Sequence, residues 1–155
     1  MTAIQKLNDE ISTLVRDLTE EQVLIVQKKI TLDAFSGFVK RTPVDKGVAR
    51  AGWQIGIATP PALLPNPKPG ANTEAQTAKV AEVKGLGTIF ITNDVPYIGV
   101  LDRGGFIPTD PGPSKDKREG RKGRILVKGG FSVQAPNGMV DVTLNELAQE
   151  LSSGS

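Results

Sequence analysis

The residues of this chain that suggest chemistry are a few carboxylates. Asp94, Asp102 and Asp110 follow a β-rich segment and are the candidates for acid–base catalysis or for binding a metal ion. A hard-cation site needs several convergent oxygens, and no second cluster at ligand spacing accompanies them. The chain has no cysteine and no histidine, which excludes thiol nucleophiles, zinc sites built on those residues and the usual general base near neutral pH. We therefore expect no enzymatic activity, no metal site and no cofactor.

A second candidate for chemistry is a run of cations in a segment rich in glycine and proline. It contains Lys115, Lys117, Arg118, Arg121, Lys122 and Arg124. Lysine and arginine on such a loop suit contacts with the phosphates of a nucleic acid, and these contacts are independent of the base sequence. Asp116 and Glu119 dilute the charge, and no aromatic residue is interleaved for base stacking. The run is a candidate contact with DNA or with a partner protein, and a solvated charged loop is the alternative.

Composition indicates one soluble domain. The chain has 155 residues, with 19 basic against 17 acidic residues. This small net charge does not by itself indicate binding to nucleic acid. No apolar run approaches the ~20 residues of a membrane span, and the N-terminus lacks a basic-then-apolar signal. We predict a single domain over 1–151, made in a cytoplasm and not bound to a membrane, with a disordered tail at 152–155.

The N-terminal section carries a helical pattern. Apolar residues recur at steps of three and four at Ile4, Leu7, Ile11, Leu14 and Leu18. Thr2 with Gln5, and Thr19 with Gln22, have the spacing of capping boxes. The pattern fits two helices broken near residues 18–19, or one rod from about residue 3 to 40. Its apolar surface is wide, so the section packs on the rest of the domain or between subunits.

The middle of the chain predicts a small sheet with short helices. Pro43 ends the helical section, and Gly52 to Ala58 alternates as a strand, with Trp53, Ile55 and Ile57 on one face and Gln54 and Gly56 on the other. A proline-rich loop at 59–72 precedes a helix at 73–84, which Thr73 caps and Gly85 stops, a strand at 88–92 and a helical turn at 96–103.

The last third predicts a hairpin and a closing helix. Residues 125–127 and 131–133 are the candidate arms of a ribbon, and Val140, Leu144, Leu147 and Leu151 mark a C-terminal helix. The predicted fold class is α+β, with a long N-terminal helical section, a small and mostly antiparallel sheet, short helices and a C-terminal helix.

Three motifs occur in a fixed order along the chain. The first comprises Thr42, Pro43, Val44, Asp45, Gly47, Arg50 and Trp53; the second comprises Gly85, Ile89, Ile91, Asn93, Pro96, Tyr97, Leu101 and Gly104; the third comprises Gln134, Ala135, Pro136, Gly138, Met139 and Val140. In this order they resemble the tailed-phage family of minor tail, tail-completion and head–tail joining (neck) proteins, exemplified by lambda's tail protein Z. The segment 105–130, which contains the basic run, is an insertion relative to that pattern.

The resemblance implies a structural virion protein rather than an enzyme. The family implies a homo-oligomeric ring around the DNA path, assembled in the host bacterial cytoplasm into the tail or neck of the virion. Its partners would be a tail-terminator or tail-tube protein on one side and a head connector on the other, with DNA as a further candidate in the channel. Three alternatives stay open: another tail-terminator or connector role, a non-specific nucleic-acid-binding module that uses the insertion, and an unrecognised hydrolase.

Individual motif residues carry structural expectations. We expect Gly47 to have a positive φ and Arg50 to stabilise the turn, by pairing with Asp45, rather than to reach a neighbouring subunit. Trp53 is expected in the core. Tyr97 is expected to be buried with its hydroxyl bonded at the edge, although a ring interface would use the same side chain.

Overall fold

The protein is described from a computed structural model, which covers residues 1–44, 47–70, 73–105, 126–127, 130–132 and 134–154. The helices are α1 (Ala3–Val15), α2 (Glu20–Arg41), α3 (Val48–Ala51), α4 (Thr73–Ala81), α5 (Ile98–Arg103) and α6 (Val140–Ser153). The strands are β1 (Trp53–Ile57), β2 (Ile89–Asn93), β3 (Leu126–Val127) and β4 (Phe131–Ser132). The fold is α+β, as the sequence predicts, with helices at both ends and a two-stranded antiparallel sheet between them.

The N-terminal section is two helices and not one rod. Both predicted capping boxes are present: Thr2 pairs reciprocally with Gln5, and Thr19 with Gln22. Thr19 has φ −71° and ψ 163°, an extended conformation that stops α1 from continuing into α2. Because each threonine side chain satisfies a free N–H at the start of its own helix, the second box fixes the break that apolar spacing alone leaves open.

The two N-terminal helices pack against the rest of the domain. α1 contacts α6, and α2 contacts α6, α4 and β1. Gly37 allows the close approach of α2 and α6, since a Cβ there would lie 2.4 Å from Thr143 Cγ2. Arg41 joins the same two helices by donating to Thr143 Oγ1 at 3.1 Å and by pairing with Glu146. One part of the apolar surface stays uncovered, because Ile25 is 67 % exposed.

The central sheet pairs β1 with β2 in antiparallel register, with Trp53 opposite Asn93 and Ile55 opposite Ile91. The predicted two-faced pattern of β1 is wrong in detail. Gln54 and Gly56 are buried, because the proline-rich loop covers their face: Gln54 Nε2 donates to Ala62 O at 3.1 Å. Ile57, expected inward, is instead 37 % exposed at the end of the strand.

Several boundaries differ from the predicted ones. The sequence pattern misses α3, and α4 ends at Ala81 rather than near residue 84. Thr73 is the first residue of α4 and not its cap. β3 and β4 form the predicted hairpin, and α6 continues to Ser153, so the tail predicted to be disordered from 152 begins as helix.

The core lies where α2, α4, α6 and the sheet meet. Its most deeply buried side chains are those of Phe35, Ile55, Val80, Val95, Met139 and Thr42. Within the described ranges, no helix has both the length and the apolar character needed to cross a membrane.

Candidate functional site: the junction of the three motifs

The first motif is anchored to α2 by a buried hydrogen bond. Thr42 is the C-terminal cap residue of α2, and its hydroxyl donates to Phe38 O at 2.6 Å. The same oxygen accepts from Trp53 Nε1 at 2.7 Å. Trp53 is 7 % exposed, and its ring lies 5.0 Å from that of Phe38, centroid to centroid, at 33°. The prediction that Trp53 is a core residue is confirmed, and its indole N–H has the partner that a buried donor requires.

The turn after Pro43 brings the chain from α2 into α3 and β1. Gly47 has φ 81°, so the predicted positive φ is confirmed. Arg50 donates from Nη2 to Lys40 O and Thr42 O, both at 3.2 Å. These carbonyls belong to the end of α2, where a cation also meets the negative end of the helix dipole. Arg50 thus stabilises the turn, as expected; the Asp45 pairing lies outside the described residues.

Asn93 joins the second motif to the first. Its Nδ2 donates to Ala49 O in α3 at 2.8 Å, and its Oδ1 accepts from Val95 N at 3.1 Å. The side chain therefore fixes both the end of β2 and the position of α3. Gly52 makes room for it, since a Cβ there would lie 2.6 Å from Asn93 Oδ1.

Gln134 joins the third motif to the first. Its Oε1 accepts from Val44 N at 2.8 Å, and its Nε2 donates to Val44 O at 3.0 Å. The amide therefore pairs with one residue's backbone as a neighbouring strand would. Ala135 and Met139, from the same motif, are buried in the core, whereas Pro136 is exposed.

The second and third motifs meet at the start of α6. Asp102 Oδ1 accepts from Met139 N at 2.9 Å and from Val140 N at 2.8 Å. Gly138, at φ 77°, leaves no room for a side chain, because a Cβ would lie 2.0 Å from Asp102 O. The carboxylate therefore caps a helix 37 residues further along the chain. The residue before the helix, Met139, makes no side-chain cap of its own. The sequence gives no signal for the contact with Asp102, because the two residues are far apart in the chain.

The remaining second-motif residues divide between core and surface. Leu101 packs against the core, and Gly104 has φ 75° at the end of α5. Pro96 is exposed. Tyr97 is 47 % exposed, so the expectation that it is buried is wrong. Tyr97 lies at the N-terminal cap position of α5, where its carbonyl accepts from Leu101 N.

Two of the three carboxylates that suggested chemistry accept hydrogen bonds from the chain itself. Asp94 Oδ2 accepts from Leu64 N at 3.1 Å and from Gln54 Nε2 at 3.4 Å, which ties the proline-rich loop to the sheet. Asp102 caps α6, and Asp110 lies outside the described residues. Across the part of the chain that the structure describes, no group of three acidic side chains is placed to hold a metal ion.

The six basic residues from Lys115 to Arg124 also lie outside the described residues. Nearly all members of the three motifs are described, and hydrogen bonds made by Thr42, Arg50, Asn93 and Gln134 join the end of α2 to α3, β1, β2 and the segment before α6. The chain matches no model of a known protein family, no curated protein and no solved structure.

Proposed function

We propose that this protein is a structural virion component of a tailed bacteriophage. It acts in tail completion or head–tail joining at the neck, as one subunit of a ring around the DNA path. Its partners are further copies of itself, a tail-terminator or tail-tube protein, and a head connector. Its role is assembly and shape, with no catalytic step.

The observation that carries the proposal is the meeting of the three motifs. Gln134 and Val44 are 90 residues apart in the chain, and Asn93 and Ala49 are 44 apart, yet each pair is hydrogen-bonded. Residues that recur as a motif because they fix one fold should contact each other in this way. This supports treating the three motifs as one signature rather than as three common turns.

Exposed apolar side chains supply material for subunit contacts. Ile25 and Leu32 are seven residues apart on one face of α2, and both are exposed. Tyr97 and Val100 are exposed on and beside α5, and Leu63 on the proline-rich loop. The exposed residues of α2 form one patch and those at α5 form another. Two separate patches suit a head-to-tail contact, in which one patch of a subunit meets a different patch of the next subunit and the ring closes.

The decisive experiment is to locate the chain in the intact particle. We expect several copies around the tail axis at its head-proximal end, each touching an identical neighbour. A single copy lying away from the axis, or absence from purified particles, would overturn the proposal.

Point variants test the surface without disturbing the fold. Tyr97→Ser should leave the free protein folded, because the ring is half-exposed, while reducing the yield of joined particles in a complementation assay. Asp9→Asn, an exposed change on α1, is the matched control and should join normally. Equal particle yield from Tyr97→Ser, Ile25→Ser and the parent would remove both patches from the interface.

A further inference from the structure

The outer edge of β1, on the side away from β2, is closed by side chains of α4. Ile55 N donates to Gln76 Oε1 at 3.0 Å, and Ile55 O accepts from Lys79 Nζ at 3.0 Å. Lys79 Nζ also donates to Gln76 Oε1 at 2.8 Å, so the two side chains support each other. No further strand can pair at Ile55, because its two backbone groups are already bonded.

Among the described residues, the outer edge of β2 is bonded just before the strand, where Gln27 Nε2 of α2 donates to Gly87 O, but not along the strand itself. Ala58 N donates to Thr88 O at 2.9 Å in the β1–β2 register, so the directly bonded pairs are Gly56 with Phe90 and Gln54 with Thr92. Alternation then turns the N–H and C=O groups of Ile89, Ile91 and Asn93 away from β1. Within the described part of the chain, these backbone groups have no hydrogen-bond partner.

The sequence of β2 favours strand addition at that edge. Ile89-Phe-Ile-Thr-Asn93 contains no charge and no proline, the two usual protections of an edge strand. Four of its five residues are β-branched or aromatic. Phe90 and Thr92 alternate with these residues along the strand and are partly exposed, and the Thr92 hydroxyl is buried with no hydrogen-bond partner among the described residues.

We propose that the β2 edge pairs with the β2 edge of a second copy, antiparallel, about a two-fold axis at Ile91. In this register Ile91 lies opposite Ile91 of the second copy, and Ile89 opposite Asn93. All outward N–H and C=O groups of these three residues then have partners. Phe90 lies opposite Thr92 of the second copy, an aromatic and β-branched pair that stabilises sheets. No like charges meet, so the edge is complementary to itself.

The result is a continuous four-stranded sheet in the order β1, β2, β2, β1. Its two outermost strands are both β1, whose edge is closed at Ile55 by Gln76 and Lys79. Sheet growth therefore stops at two copies. Two-fold pairing of the free protein would also keep an uncharged edge from adding other strands before assembly.

This contact is independent of the proposed ring. A two-fold contact uses the same patch on both subunits, whereas a ring uses head-to-tail contacts between different patches. The inference therefore survives if the phage assignment fails, and the phage assignment survives if the free protein does not pair through β2.

Cysteine cross-linking tests the register, because the parent chain has no cysteine. Phe90→Cys and Thr92→Cys are prepared separately, mixed under mild oxidation and compared with each variant alone. Opposite residues at this position have Cα atoms ~4.5 Å apart, within disulfide reach, whereas identical residues lie on the diagonal at ~7–8 Å. We expect the mixture to give roughly tenfold more disulfide-linked dimer than either variant alone.

Two measurements complete the test. The parent protein should rise in mass with concentration toward twice 16.5 kDa and no further. Ile57→Cys, a half-exposed position on β1 of the same sheet, is the control and should cross-link no faster than either single variant. A parent that stays monomeric at every concentration, or a mixture that links no faster than its components, would overturn the proposal. So would larger oligomers linked equally in all variants.

Discussion

The side-chain amide of Gln134 pairs with both backbone groups of Val44, accepting from its N–H at 2.8 Å and donating to its carbonyl at 3.0 Å. This two-point contact ties the segment before α6 to the turn after α2. One side chain therefore joins the third motif to the first, across 90 residues of the chain.

Replacing Gln134 with Ala should lower the free energy of unfolding by about 1–2 kcal/mol. Two hydrogen bonds are lost, but the site is exposed, so water replaces part of their contribution. Chemical denaturation measures the loss. Gln149→Ala on the exposed face of α6 is the matched control and should change stability by less than about 0.5 kcal/mol. Equal effects of the two changes would show that the Val44 contact contributes nothing.

Trp53→Ala should cost about 3–5 kcal/mol, the usual range for removing a buried large aromatic side chain. Thermal melting measures it, with particle assembly as a second readout. A variant that melts like the parent but fails to assemble would make Trp53 an interface residue and contradict its place in the core.

A double-mutant cycle isolates the hydrogen bond between Trp53 and Thr42. Thr42→Val leaves the buried indole N–H without a partner and should cost about 1–3 kcal/mol. In a Trp53→Phe background that donor is absent, so the same change should cost less. Purely additive effects would show that Thr42 acts only through its bond to Phe38 O.

Gly47→Val should destabilise the protein by about 1–3 kcal/mol, because a β-branched residue is strained at φ 81°. Space is not the cause, since the nearest atom to a Cβ is Pro69 Cβ at 3.5 Å. Gly47→Asn should therefore recover part of the loss, as asparagine tolerates positive φ. Gly85→Val is the control in open space. A Gly47→Asn variant as unstable as Gly47→Val would contradict a conformational origin.

Asp102→Ala should lower stability by about 1–2 kcal/mol, since the first turn of α6 loses its acceptor and a nearby negative charge. Asp102→Asn keeps an acceptor and should cost less. Asp141→Asn removes the same charge from the first turn of α6 and serves as the control. If it costs as much as Asp102→Ala, the effect is general electrostatics and not capping.

Deleting 106–129 removes β3, the partner of β4, together with the basic run. It should still leave a folded domain but weaken particle joining, because surface insertions change loop entropy only slowly with length. Neutralising all six lysines and arginines of the basic run should mimic the deletion if charge is the operative feature. Normal joining by the neutralised variant alone would assign the segment's role to shape. Loss of the fold on deletion would place the segment in the core.

The sequence by itself determined the elements that local chemistry specifies. Thr19 and Gln22 encode a helix start whatever surrounds them, Gly47 encodes a turn that needs positive φ, and the spacing of Leu144, Leu147 and Leu151 encodes α6. The α+β class follows from these local periods, and so does the core position of Trp53.

Only the tertiary structure decided the contacts between distant residues. Asp102 caps a helix far along the chain, and Gln134 pairs with Val44; neither side chain carries a local pattern that names its partner. The same reason explains the errors. Gln54 is buried because a loop from outside the strand covers it, and Tyr97, at the cap position before α5, is half-exposed. Burial and capping depend on the residues that pack against a segment from elsewhere in the chain. Local periodicity shows only the order of apolar and polar residues within the segment itself.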